Sequence, residues 1–132
     1  MTVVTPYSMN KRVVTIFDTD VPGGSHVGFV GMIEVVALMI GDIVQRYSEK
    51  EYNDHCEITP GMHVKRGAPK SMYRPGSSTD ILVFQKDRVC FAEDILQNRC
   101  HKSAQSRFTL GFGVALVETD VKVRSPIAVR VG

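Results

Sequence analysis

The apolar residues of this chain come in short β-branched runs, and each run is closed by a glycine or proline turn. "RVVTIFD" at residues 12–18 is followed by Val21-Pro22-Gly23-Gly24. "VGFVGMIEVV" at residues 27–36 carries Gly28 and Gly31 inside it, which disfavours a helix and suits a strand packed close to another backbone. Pro60-Gly61, Arg66-Gly67 and Pro75-Gly76 punctuate the middle of the chain. Strands are expected at residues 12–18, 27–36, 42–47, 63–65, 81–84, 87–91, 108–117 and 121–131, with 81–84 buried and 87–91 returning from it as the second arm of a hairpin. Residues 37–40 are too short an apolar run to type. Residues 48–57 and 102–107 read as polar loops. One short helix is expected at residues 93–99, "EDILQNR". The fold class is therefore all-β with minor α, a small barrel or sandwich of short antiparallel strands. With 132 residues the chain forms a single domain, 1–132.

Several function classes are disfavoured at once. The formal net charge is +2, and Lys11-Arg12, Lys65-Arg66 and Arg99 are scattered rather than clustered with aromatics, so no nucleic-acid partner is expected. Cys56, Cys90 and Cys100 are odd in number and lack a C-x-x-C spacing, so neither a disulfide framework nor a metal site is expected. No secretory signal is visible at the N-terminus. Glu34 interrupts the most apolar stretch, which is too short to span a membrane. By alternation Glu34 reads as the outward residue of a half-exposed strand. A lipoyl- or biotinyl-type carrier needs a lysine flanked by methionine at a hairpin tip, whereas Lys65 lies between Val64 and Arg66.

The stretch "YRPGSSTD" at residues 73–80 is the candidate for chemistry. Its bland reading is a turn that feeds a strand. Its sharper reading starts from the absence of a side chain on Gly76, which leaves the carbonyl carbon open to a following serine hydroxyl. Attack there turns the amide into an ester. Elimination across the serine Cα–Cβ bond then leaves dehydroalanine at a new N-terminus, and hydrolysis converts it to a pyruvoyl ketone. Such a ketone forms a Schiff base with an amine and accepts the electrons released when carbon dioxide leaves, the work pyridoxal phosphate does elsewhere. A nucleophilic serine also needs a base and an oriented partner.

The order of motifs resembles that of the phosphatidylserine decarboxylase family of pyruvoyl-dependent enzymes. "YSMNKRVVTIFDTDVPG" resembles its N-E-R segment, strand and acidic turn. "HVGFVGMIEVVALMIGDIV" is similar to its paired V-G strands. "ITPGMHVKRGAPKSMYRPGSSTDILVFQKDRV" follows its order of V-x-(K/R)-G, an aromatic, G-S-(S/T) and an apolar strand ending in Phe. The resemblance implies the C-terminal portion of such a catalytic domain. It implies autocatalytic cleavage between Gly76 and Ser77, a pyruvoyl group made from Ser77, and Ser78 as the neighbouring hydroxyl. The stretch from Gly76 to Phe84 runs one residue longer than in many members of the family, and counting back from Phe84 selects Ser78 instead, with Thr79 behind it. The family's activating Asp and His are expected upstream of Met1. None of His26, His55, His63 and His101 sits in a matching motif, and His63 is nearest in sequence to the site. The resemblance further implies an aminophospholipid or amino-acid substrate and a cytoplasmic place or a peripheral one at the cytoplasmic face of a membrane. It also implies either an N-terminal partner portion or a homo-oligomer. The alternative is a non-catalytic relic that keeps the β-domain alone, or needs a partner chain.

Overall fold

In residues 12–18 every second side chain is turned inward, with Val13, Thr15 and Phe17 half-buried and Val14 and Ile16 exposed. That alternation is the two-residue period of a strand with one covered face. The structure, a computed structural model, describes residues 10–36, 41–75, 78–99 and 117–132. Strand β1 (Arg12–Asp18) pairs antiparallel with β2 (Phe29–Val36), which pairs antiparallel with β5 (Ser78–Phe84). A second sheet holds β3 (Asp42–Gln45) and β4 (Ser71–Arg74), and a third holds β6 (Val89–Phe91) and β7 (Ala128–Arg130). The only helix among the described residues is α1 (Glu93–Asn98), inside the span expected for it. The all-β expectation holds.

The β1–β2 connection is fixed by Thr19, whose N–H and hydroxyl both donate to the Gly28 carbonyl at 3.1 and 2.7 Å. Gly28 has φ +77°, and a Cβ there would lie 2.0 Å from Gln85 Oε1. The position therefore demands glycine on two grounds. Among the described residues the buried apolar side chains are Val27, Val30, Val36, Ile43 and Tyr47, gathered where β2 meets β3.

Four expectations need correcting. β5 is not buried: Ile81, Leu82 and Val83 are exposed, because β5 is an edge strand of a three-stranded sheet. Residues 87–91 do not return along β5. They supply β6, which pairs with β7, while the Gln85 side chain instead accepts the Phe29 N–H at 2.9 Å. Residues 63–65 form no strand, since the Lys65 N–H donates to the Tyr47 hydroxyl at 2.8 Å rather than to a ladder. Of residues 121–131 only Ala128–Arg130 is strand, because Arg124 has φ +67° and the Ser125 N–H closes a turn on the Lys122 carbonyl at 3.0 Å. β4 was not foreseen at all. The expectations for residues 37–40, 102–107 and 108–116 lie outside the described residues.

Candidate active site

The stretch 73–80 is the crossing between two sheets. β4 runs in register with β3, pairing Ser71 with Gln45, Met72 with Val44, Tyr73 with Ile43 and Arg74 with Asp42. Pro75 follows; with no N–H it cannot extend the ladder. β5 starts at Ser78, opposite Val36, and runs on to Phe84, opposite Val30. Gly76 and Ser77 lie outside the described residues. Ser78 is exposed and is the first residue of its ladder.

Beneath this crossing sits the most buried side chain of the described residues. Glu34, in β2, is fully buried, with 0% exposure. Its expected outward orientation is overturned, because the face it occupies is covered by the β3–β4 sheet rather than by water. Lys70 Nζ donates to Glu34 Oε2 at 2.5 Å and to Gln45 Oε1 at 3.0 Å. The Ser71 hydroxyl donates to Glu34 Oε1, and Gln45 Nε2 donates to Glu34 Oε2 at 3.4 Å. A carboxylate stripped of water is tolerable only when its lone pairs are met in this way.

Glu34 is also the register partner of Asp80 in β5. Directly opposed residues of an antiparallel pair point to the same face, and diagonal neighbours lie about 7–8 Å apart. Glu34, Val36, Asp80 and Ser78 thus share one face. The Tyr73 hydroxyl donates to Asp80 Oδ1, joining the two ends of the stretch. Partial burial pushes the Tyr73 phenol well above the ordinary tyrosine range, and its hydrogen bond to Asp80 and the nearby charges of Asp80 and Glu34 add to the rise. The phenol is therefore a fixed donor.

Behind Lys70 opens a cleft along β1. Two adjoining hollows of about 770 and 600 Å³ share Phe17, Asp18, Ile58, His63 and Val64. Gln45 reaches the first and Lys70 the second, together with Lys65 and Arg66. His63 is exposed on this cleft wall, and no hydrogen bond links it to the 73–80 stretch among the described residues. His26 is exposed in the β1–β2 turn, and His55 faces the Arg46 guanidinium at 3.1 Å. His101 and Cys100 lie outside the described residues. Among the described residues no group of three or more His, Cys, Asp or Glu side chains converges, and no helix is long and apolar enough to cross a membrane.

Tyr73, Asp80, Lys70, Ser71 and Gln45 were not singled out by sequence reasoning. Tyr73 and Asp80 are the first and last residues of the eight-residue stretch, whose two ends close on each other. Nothing local marks Lys70 or Gln45 as partners of Glu34, since they lie 36 and 11 residues away.

A family model described as phosphatidylserine decarboxylase matches residues 1–108. The phosphatidylserine decarboxylase proenzyme of Chlamydia trachomatis serovar L2 is 33% identical over 112 residues, covering 78% of this chain and 32% of the relative. The proenzymes of Ruminiclostridium cellulolyticum and Fusobacterium nucleatum are 34% and 32% identical, covering 68% and 77% of this chain and 25% and 28% of themselves. The chain thus spans about a third of the length of the curated relatives it matches, or less. No solved structure matches it. From the matched span and these identities, the chain belongs to the phosphatidylserine decarboxylase family.

Proposed function

We propose that this chain is the self-processing portion of a pyruvoyl-dependent decarboxylase that takes an aminophospholipid at a membrane surface. The observation that carries the reading is that β4 ends at Arg74 and β5 begins at Ser78 in separately paired sheets, on either side of the Gly-Ser sequence, in a chain of this family. Ser77 Oγ attacks the Gly76 carbonyl carbon, the Ser77 N–C bond breaks, and an ester forms. Loss of the Ser77 Cα proton and scission of its Cβ–Oγ bond release the Gly76 carboxylate. Water then enters and ammonia leaves, and the ketone is left at the head of β5.

The surroundings fit a group formed in this way. A cut before Ser77 leaves β4 in its ladder with β3 and β5 in its ladder with β2, so both new ends stay anchored. The bonds from Lys70 and Ser71 to Glu34, and from Tyr73 to Asp80, would continue to hold the two pieces together. A cut before Ser78 would instead turn the first residue of the β5 ladder into a chain end, which favours Ser77 as the precursor. Once formed, the ketone supplies an electron sink for loss of carbon dioxide from a bound amine. The cleft beside Lys70 offers apolar walls from Phe17, Met32, Ile58 and Val64, and cations from Lys65 and Arg66, which suits a phosphodiester with an apolar tail.

The intact mass of the purified chain tests this reading. The expected result is two pieces breaking between Gly76 and Ser77, the second blocked to N-terminal sequencing, and a Ser77→Ala chain that stays whole. A single species at 14.6 kDa, unchanged when the remaining portion of a relative is supplied, would establish the relic reading instead.

A further inference from the structure

β4 and β5 belong to different sheets, so no ladder hydrogen bond joins the two strands that flank Gly76 and Ser77. Among the described residues, side chains tie the second sheet to the first. The first tie is buried and lies at the start of β4, where Lys70 and Ser71 hold Glu34 of β2. The second lies at the rim, where the Tyr73 hydroxyl reaches Asp80 across seven residues of chain. Tyr73 is the third residue of β4 and Asp80 the third of β5, so this bond fixes the distance between the points where the stretch leaves one sheet and enters the other.

We propose that the Tyr73–Asp80 bond is a positioning device for self-cleavage. It shortens the arc open to residues 74–79 and so raises the fraction of time in which a serine hydroxyl can approach the preceding carbonyl. Intramolecular attack is governed by such orientation, and a small misplacement has a large effect on its rate. The buried Glu34 tie sets the packing of the two sheets, while the exposed Asp80 tie adjusts the loop.

This inference rests on the self-processing reading. The test measures the rate of cleavage by intact mass in the full chain and in Tyr73→Phe, Asp80→Ala, Asp80→Asn and the Tyr73→Phe/Asp80→Ala pair. Far-UV circular dichroism establishes that each is folded. Loss of one hydrogen bond predicts that Tyr73→Phe and Asp80→Ala each cleave about tenfold more slowly. The double variant is no slower than the slower single one. Asp80→Asn keeps an oxygen acceptor, cleaves at close to the parental rate and retains the parental pH profile.

Parental rates in folded Tyr73→Phe and Asp80→Ala would overturn the positioning role and leave self-processing standing. An Asp80→Asn chain as slow as Asp80→Ala would overturn it in favour of proton transfer by the carboxylate. A parental chain that never cleaves would remove the self-processing reading and this inference with it.

Discussion

Replacing Lys70 by methionine should be among the most damaging single changes available to this fold. Methionine preserves most of the volume and the unbranched stem, so packing changes little. What changes is the charge balance around Glu34, whose side chain is 0% exposed against 13% for Lys70. Removing one partner of a buried pair leaves an uncompensated charge and costs about 3–5 kcal/mol. Lys70 touches the cleft, where water can enter, and the Ser71 hydroxyl and Gln45 amide still donate to Glu34, so the lower end, about 3 kcal/mol, is expected. A domain of this size has about 7–20 kcal/mol in total, so the loss is a substantial fraction. Guanidinium unfolding should show it as a fall in midpoint at constant slope, and heating as a drop of about 10 °C. The companion variant Glu34→Leu/Lys70→Met removes both charges and should recover to within about 1–2 kcal/mol of the parent, because a buried ion pair is worth little more than an apolar replacement. A Lys70→Met cost below about 1 kcal/mol would refute the view that Lys70 neutralises a desolvated carboxylate. So would a double variant no better than the single one.

Gly28→Ala should destabilise by about 2 kcal/mol or more, since φ of +77° and the 2.0 Å approach to Gln85 Oε1 both penalise a Cβ. Adding Gln85→Ala would relieve the clash without restoring stability, because the 2.9 Å bond from the Phe29 N–H is then lost. Asp42 is held below its ordinary value of 3.8, first by the hydrogen bond from Lys11 and then by the charges of Lys11 and Arg74 and the Ile43 N–H, against a partial opposing effect of burial. Its contribution is therefore complete at pH above 3.8 and fades as the pH falls through the lowered midpoint. An NMR titration of the Asp42 carboxyl should show that midpoint, and Lys11→Met should raise it; an unmoved midpoint would refute the pairing. The outer face of the first sheet carries Val14, Ile33 and Ile81 in one row and Ile16, Gly31 and Val83 in the next. The chain should accordingly self-associate in light scattering as concentration rises, and Ile16→Lys, at a side chain 71% exposed, should suppress this while leaving the fold intact.

Where a signal is local, the sequence carried it. β1 is legible to the residue because the β-branched and aromatic content of "RVVTIFD" is a property of seven neighbours, and α1 because its residues favour a helix and lack turn formers. The failures are failures of pairing. "ILVF" reads as buried because it is apolar, yet burial depends on whether a neighbour covers the strand, and β5 lies at an edge. "HVK" reads as strand because of its valine, yet a strand needs a ladder, and the Lys65 N–H is taken by the Tyr47 hydroxyl. "SMYR" carries little β signal by itself and becomes β4 only because β3 lies beside it.

Glu34 shows the same limit where it matters most for the site. Alternation correctly places it on the opposite face from Ile33 and Val35, but cannot say which face meets water. The answer comes from Gln45, Lys70 and Ser71, which meet at Glu34 only when the second sheet folds over the first. The fold thereby gains a constraint that a single continuous sheet would lack. Had β4 and β5 been hairpin partners, their shared ladder would have carried the 73–80 stretch as an ordinary tight turn, relaxed and held by backbone bonds. Because they belong to different sheets, the stretch bridges two bodies whose relative position is set by Glu34 and whose rim is drawn together by Tyr73 and Asp80. A peptide bond in such a bridge can be cut without breaking a ladder. Under the proposed self-processing, cleavage rate would follow Tyr73 and Asp80 and fold stability would follow Glu34 and Lys70, so the two should respond to different residues.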